Sequence, residues 1–157
     1  MKIRPYNGID DFRFDDDLET VKFKCRMFKT QLGHMTVLGK KFQTLHVSGL
    51  NMHIVFVDET GSEIESFEIF KGSLICSGVD LLNTDYYKLQ AYFMELDDSL
   101  TIDENGFSSQ KFGFSVHYGI MEGERSEYPE SVVVFNRDYL RKVTPSVDEI
   151  IKHYLKK

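Results

Sequence analysis

The chain has 157 residues, a formal net charge of −6, 41% apolar residues, and an aromatic content that includes 13 Phe and 8 Tyr. This length predicts a single domain over residues 1–157 with a packed core, and the composition argues against a disordered chain. The acidic balance argues against nucleic-acid binding, because like charges repel the phosphate backbone. The same charge favours encounter with a basic protein partner.

The cysteines and the first residues of the chain indicate the cellular compartment in which the protein is expected to work. The two cysteines, Cys25 and Cys76, are too few for a disulfide framework and are predicted to be buried thiols in a reducing environment. The first residues lack the apolar run of a signal peptide. No segment approaches the roughly 20 consecutive apolar residues of a membrane span. These features predict a cytoplasmic protein.

The first half of the chain contains one predicted helix among strands. Phe12 and Phe14 alternate with polar residues, as in a short strand. Three aspartates at 15–17 precede apolar residues spaced by three and four, which predicts an acidic helix start. The pattern weakens over 30–41, where Gly33 and Gly39 act as breakers, so no element is predicted there. Strands are predicted at 42–47, 52–57 and 63–70.

The second half has the same kind of pattern. Apolar residues spaced by four and three predict a helix, with Asn83 or Thr84 as its N-terminal cap. The apolar residues of this pattern are Leu82, Tyr86, Leu89, Phe93 and Leu96. Strands are predicted at 99–102 and 112–118, around a turn at 103–106. A β-branched run at 131–135 predicts a strand buried on both faces. A terminal helix is predicted over 144–156, where Pro145 suits a first helical position.

The two halves of the chain share short similar segments in the same order, an internal repeat that we call the sequence echo. Gly8-Ile9-Asp10 is matched by Gly78-Val79-Asp80, and Glu65-Ser66 by Glu130-Ser131. We interpret the halves, about 3–70 and 74–140, as a tandem β-α-β-β-β arrangement closed by the helix at 144–156. Consecutive strands favour an α+β fold with an antiparallel sheet that carries its helices on one face. The other face is then at least partly open to a partner.

Motifs for catalysis are absent from the sequence. None of the five histidines stands three or four residues from another, and no HExxH, GxSxG, GxxxxGK[ST] or GxGxxG pattern occurs. His46 and His53 flank a predicted hairpin and could approach each other. Cys25 or Cys76 could pair with a histidine only through folding. The sequence therefore predicts a protein that is not an enzyme and has neither metal nor cofactor.

Acidic residues concentrate in the second half. Four glutamates surround Tyr128 between residues 122 and 130. One interpretation is a solvated loop, and the other is an acidic surface with an aromatic anchor that suits a basic protein. Together with earlier carboxylates they form a predicted partner-binding patch, whose members are Asp97, Asp98, Asp103, Glu104, Glu122, Glu124, Glu127, Tyr128 and Glu130.

The opening of the chain resembles a known group of proteins. The pattern Ile3-x-Pro5-x-x-Gly8-Ile9-x-x-Phe12-x-Phe14, followed by an acidic helix start with Leu18 and Val21, is similar to the N-terminus of small bacterial immunity proteins. These are the cognate inhibitors of contact-dependent growth-inhibition toxins and other polymorphic toxins. The resemblance covers about the first 20 residues. It implies a strand, helix and antiparallel-strand order and a toxin domain as partner, and it assigns no binding residue.

These observations lead to one expected function and two alternatives. The expectation is an immunity protein that neutralises a toxin domain, such as a basic nuclease, by covering its active surface. The first alternative is a small-molecule-binding domain or minor enzyme, with a pocket between helix and sheet lined by Phe and Tyr. A pocket that gathers His46, His53 and one carboxylate would favour it. The second alternative is an adaptor domain.

Overall fold

An eight-stranded antiparallel sheet dominates the computed structural model, which describes residues 1–121 and 123–139. The helix predicted at 144–156 lies outside the described residues. The strands in chain order are β1 Ile3–Arg4, β2 Gly8–Ile9, β3 Phe12–Arg13, β4 Thr30–Val37, β5 Lys40–Val47, β6 Met52–Phe56, β7 Ile64–Ile69, β8 Ile75–Cys76, β9 Val79–Asp80, β10 Thr101–Ile102, β11 Gly106–Ser109, β12 Phe114–His117, β13 Ile120–Met121, β14 Glu124–Arg125 and β15 Ser131–Phe135.

The large sheet is assembled from two sets of four strands. Its order is β10-β11-β12-β15-β7-β6-β5-β4, so each half of the chain supplies four neighbouring strands. The last strands of the halves, β7 and β15, pair at the centre with Phe67 opposite Val134 and Ile69 opposite Val132. In the sequence echo Phe67 corresponds to Val132 and Ile69 to Val134. The pairing therefore exchanges corresponding residues, as a local two-fold axis between the strands requires.

Each half begins with a small hairpin held by an aspartate. The Asp10 carboxylate accepts a hydrogen bond from the backbone N–H of Lys2 at 2.7 Å. In the second half the Asp80 carboxylate accepts from the backbone N–H groups of Leu74 at 3.1 Å and Leu82 at 3.2 Å. The echo of Gly8-Ile9-Asp10 in Gly78-Val79-Asp80 thus marks two turns in which the aspartate satisfies backbone donors that the short strands leave free.

Both helices begin at an aspartate. Asp17 caps α1, Leu18–Lys24, by accepting from Thr20 N at 2.8 Å, as the acidic start predicts. The second helix, α2, spans Tyr86–Leu96 and begins after Asp85, which accepts from Lys88 N at 3.0 Å. The prediction of Asn83 or Thr84 as its cap is wrong, because the carboxylate of Asp85 is the one that reaches the free N–H groups of the first turn.

A single core lies between the helices and one face of the sheet. Alternate residues of the central strands point into it, and they contact the buried sides of both helices. The Phe93 ring of α2, for example, lies 4.8 Å from the Phe114 ring of β12. The β15 run is buried along its whole length, as predicted, since Val132 and Val134 face the core, and Tyr139 stacks on Phe135 on the other face. The predicted α+β class with an antiparallel sheet is confirmed.

The main error of the sequence prediction is the region 30–41. The structure forms β4 there as an eight-residue strand, in a hairpin with β5 that turns at Leu38 and Gly39. Seven of its eight residues are exposed, so no apolar alternation marks it. Gly33 lies within the strand, opposite Thr44, and Gly39 is the turn residue with positive φ.

The central seam offers a direct test of the packing. Phe67 is fully buried in β7, with ring centroids 5.3 Å from Phe14 and 6.3 Å from Phe12. Phe67→Ala should lower the free energy of unfolding by about 3–5 kcal/mol, because it leaves a cavity among these rings. Phe70, which is 42% exposed, gives the control, and Phe70→Ala should cost less than about 1 kcal/mol. Urea denaturation measures both, and equal losses would contradict the packing.

Candidate functional site

Several of the predicted patch residues meet at one end of the sheet. The turn 103–106 contacts the start of the long excursion between β12 and β15, because Tyr118 N donates to Asn105 O at 3.2 Å. The excursion returns beside its own start, where Glu130 N donates to His117 O at 2.8 Å. In between, Glu127 O accepts from Tyr86 N, the first residue of α2, at 2.9 Å. We name this surface the acidic end and define it by Asp103, Glu104, Glu124, Glu127 and Glu130.

The acidic end is exposed and uncompensated. All five side chains are solvent-exposed, and none takes part in an ion pair among the described residues. Tyr128 stands among them with 48% of its surface exposed. Arg125 is exposed, and its guanidinium lies 4.6 Å from the centre of the Tyr118 ring, so it stacks on an aromatic face. Glu122 lies outside the described residues.

Asp97 does not belong to this surface, and its assignment to the patch is corrected. Only 3% of the residue is exposed, and its carboxylate accepts four hydrogen bonds. The donors are the Ser109 hydroxyl at 2.6 Å, the Ser99 hydroxyl at 2.6 Å and the backbone N–H groups of Ser99 at 2.9 Å and Lys111 at 3.3 Å. Asp97 therefore ties the end of α2 to the turn between β11 and β12.

Asp98 is exposed but also lies apart from the acidic end. It follows the C-terminal cap of α2, whereas Glu127 contacts the N-terminus of that helix. A helix of 11 residues is roughly 16 Å long, so the two groups sit at opposite ends of α2. The predicted patch is thus split, and the larger part forms the acidic end.

The Asp97 network predicts a pH-dependent stability. Burial alone would raise the pKa of Asp97, but hydrogen bonds from Ser109, Ser99 and Lys111 outweigh it and lower the pKa below 3.8. A lowered folded-state pKa gives stability that is present above pH 3.8 and is lost as the pH falls through the folded-state value. Asp97→Asn should therefore cost about 2 kcal/mol at pH 7, and the deficit should shrink below pH 3.8.

Chemical denaturation at neutral and acidic pH measures this deficit. Asp98→Asn is the matched control, because Asp98 is the next residue in the sequence and is exposed. It should leave the free energy of unfolding within about 0.5 kcal/mol of the parent. A deficit for Asp97→Asn that stays constant from pH 7 to pH 3 would show that the carboxylate charge is not what the network stabilises.

The second face of the sheet, opposite the helices, carries a row of ionisable side chains. His46 of β5 is paired with His53 of β6, and His53 with Glu68 of β7. The two imidazole rings are 5.4 Å apart, edge to face. The hypothesis that His46 and His53 approach each other is therefore confirmed. Across the described residues no group of three His, Cys, Asp or Glu side chains is placed to hold a metal ion.

Two pockets open on the second face, and the row is divided between them. One of about 280 Å³ is lined by His46, His53 and Thr44. The other, of about 300 Å³, has Glu68 and His117 in its wall, with apolar residues that include Val55 and Val133. Neither of these two pockets gathers both histidines and a carboxylate. Both of these pockets lie on the second face, and not between helix and sheet as the small-molecule alternative expects.

Tyr139 borders the larger pocket. Its ring stacks on Phe135 at 5.1 Å, with an angle of 13° between the planes. Burial raises the pKa of the Tyr139 hydroxyl, and the nearby carboxylates of Glu65 and Glu68 raise it further. Ser131 Oγ donates to Glu68 Oε1 at 3.2 Å, so one of these carboxylates is held in place.

The cysteines are free and buried, as expected. Burial raises the pKa of the Cys76 thiol to about 11, and that of Cys25 is raised for the same reason. Both are therefore thiols at neutral pH, which makes them poor nucleophiles. Within the described part of the chain no helix is long and apolar enough to cross a membrane.

Sequence reasoning missed the second-face pocket and the row that ends in Glu68. The alternation of His53, Val55, Ser66 and Glu68 with buried apolar residues indicates one polar face. The partners across the strands could not be read from it, because the strand register depends on a bulge between Val55 and Phe56.

Comparison with known proteins gives a fold relative and no family. No protein-family model matches the chain, and no curated protein matches its sequence. The fold is similar to the crystal structure of the uncharacterized protein yfeY from Escherichia coli, with a TM-score of 0.58 and 12% sequence identity. The match covers 87% of this chain and 100% of that one. At this identity the similarity concerns the fold alone.

Proposed function

We propose that this protein works by binding another protein through the acidic end, and that it is an immunity protein which neutralises a toxin domain in the cytoplasm. The observation that carries the proposal is the set of five exposed carboxylates, without ion-pair partners among the described residues, beside the exposed ring of Tyr128. The resemblance of residues 3–21 to immunity proteins supports the toxin as the partner class.

The mechanism follows from the charge of the surface. A nuclease domain presents Lys and Arg side chains where the phosphate backbone binds. Carboxylates can form charge-assisted hydrogen bonds with these same side chains, so they compete with phosphate for that surface. The Tyr128 ring supplies an amphipathic contact of the kind that anchors interfaces, since its apolar body packs while its hydroxyl forms a hydrogen bond.

A salt-dependent capture experiment tests the proposal. The tagged protein is incubated with lysate of its native cells at low and at high ionic strength. One stoichiometric basic protein should be held at low salt and weakened at high salt. Glu124→Lys combined with Glu127→Lys should lower the affinity for the captured protein at least about ten-fold, or about 1.4 kcal/mol. The captured protein is then expressed alone and together with the parent chain in a growth assay.

The control is a second charge reversal of equal size. Glu59→Lys combined with Glu63→Lys changes two exposed glutamates away from the acidic end, and it should retain the partner. Equal loss in both variants would assign the effect to net charge and would contradict the acidic end as the binding surface. A captured protein that is harmless when expressed alone would exclude the immunity function while leaving the binding surface in place.

A second candidate function rests on the pocket beside Tyr139. Its apolar walls and its few polar groups have the character of a small-molecule site, and its volume of about 300 Å³ lies at the lower end of the usual range. This candidate is a ligand-binding domain or minor enzyme, with Glu68 and His117 as its polar groups. The site would lie on the second face of the sheet.

A thermal-shift screen of small amines and alcohols tests this candidate. Ligands of the pocket should raise the melting temperature of the parent, because they bind only the folded state. Val55→Trp, which fills the pocket, should abolish the shift. Val57→Trp, at a half-buried residue outside this pocket, should preserve it. Shifts that survive in Val55→Trp would exclude the pocket as the binding site.

A further inference from the structure

The edge of the sheet formed by β4 is long and open. β4 is the last strand on its side, pairs with β5 over eight residues without a register shift, and has seven exposed residues. The strand at the opposite edge, β10, has two residues. Proteins commonly protect edge strands with proline, bulges or charges along the strand. The residues of β4 include none of these.

The hairpin geometry shows which backbone groups are free. Leu38 and Gly39 form a two-residue turn with positive φ at both positions, so the closing pair Val37–Lys40 is a hydrogen-bonded pair. Pairs alternate along the ladder, and Gln43 N accordingly points away from β4, to Asp58 O at 2.8 Å. Backbone N–H and C=O groups therefore point outward at Thr30, Leu32, His34 and Thr36.

Apolar side chains surround these free groups. Leu32 is 48% exposed on the helix side of the sheet, and Met35 and Val37 are exposed on the second face. Two further apolar side chains, Phe23 and Met27, are still more exposed just before β4 begins. Exposed apolar side chains therefore stand on both faces of the sheet beside the free edge, where an added strand could cover them.

The charge of this region is opposite to that of the whole molecule. Residues 20–57 contain six Lys or Arg and no Asp or Glu, although the chain carries a net charge of −6. Lys22 and Lys24 form ion pairs with Glu19 and Asp16. The remaining four cations form no ion pair with a described residue, and they flank β4 as Arg26, Lys29, Lys40 and Lys41.

We propose that the outer edge of β4 binds an extended acidic segment of a partner protein, which adds to the sheet as a ninth strand. The free N–H and C=O groups would supply main-chain hydrogen bonds, and the flanking lysines would select Asp and Glu in the added segment. This surface is distinct from the acidic end in its residues, because it is formed by the outer edge of β4 and its flanking cations, whereas the acidic end is formed by the turn 103–106 and the segment 124–130.

A second copy of this chain is a poorer occupant. A β4 strand paired with another β4 would bring together two edges that are each flanked by four cations without an ion-pair partner among the described residues. Their mutual repulsion opposes that pairing, whereas an acidic segment is attracted to it.

The test uses capped, fluorescent peptides as probes. One peptide alternates Ile and Glu over the length of β4, and its control alternates Ile and Lys. Fluorescence anisotropy should show binding of the Glu peptide, with at least ten-fold weaker binding of the Lys peptide. His34→Pro removes an outward N–H but no bond to β5, and it should weaken the Glu peptide at least ten-fold. His34→Val keeps that N–H and should bind like the parent.

A change in the probe covers the case in which His34→Pro fails to fold. Methylation of alternate backbone nitrogens of the Glu peptide removes the hydrogen-bond donors on one edge of the peptide and keeps its side chains. Methylation on the edge that faces β4 should abolish binding to the parent protein. Undiminished binding of every methylated peptide would overturn the proposal. So would a failure of the Glu peptide to bind at millimolar concentration.

Two further measurements identify other occupants. Sedimentation equilibrium that shows a dimer of the parent, lost in His34→Pro, would overturn the proposal in favour of a second copy. The second measurement is cosedimentation with vesicles of phosphatidylcholine and phosphatidylserine. If the parent and His34→Pro bind the vesicles equally and the Glu peptide does not bind, the proposal is overturned and the basic, apolar surface is assigned to an anionic membrane.

Discussion

The antiparallel pairing of β7 with β15 is the constraint on which the rest of the structure depends. Phe67 and Ile69 face Val134 and Val132 across this seam, and the pairing makes one sheet of eight strands out of two sets of four. A single sheet buries one continuous core under both helices. It also fixes what is left exposed, which is two pockets on the second face, a long edge at β4, and an end where the excursion between β12 and β15 returns to the sheet.

Charge is distributed over these exposed regions unevenly. Carboxylates collect at the acidic end, whereas residues 20–57, which include the β4 edge, carry only positive charge among their Lys, Arg, Asp and Glu side chains. Asp97 shows why charge alone does not define a site, because its carboxylate is consumed by four hydrogen bonds within the fold. At the acidic end the Asp103 carboxylate also accepts hydrogen bonds, from Asn105 N and Gly106 N. The four glutamates of that surface, by contrast, are exposed and form no ion pair with a described residue, and the proposed function rests on that difference.

Much of the fold could be predicted from the sequence, and the failures have physical causes. Residues 131–135 and the two helices were predictable because burial imposes an apolar period on them. The strand β4 was not, since an exposed edge strand buries neither face and leaves no such period. The helix cap fell on Asp85 rather than Asn83 or Thr84, within the usual error for an element boundary. The position of Asp97 away from the acidic end depends on tertiary hydrogen bonds, which no local pattern encodes.

The central claim is that the acidic end is the surface that a protein partner covers. Hydrogen–deuterium exchange of the chain with and without its captured partner tests it most directly. The account predicts new protection at the backbone amides of 103–106 and 124–130, with little change at Val55, Ser66 and Val133 on the second face. Protection confined to those second-face residues, with 124–130 unchanged, would contradict the account and place the functional site at the pocket beside Tyr139.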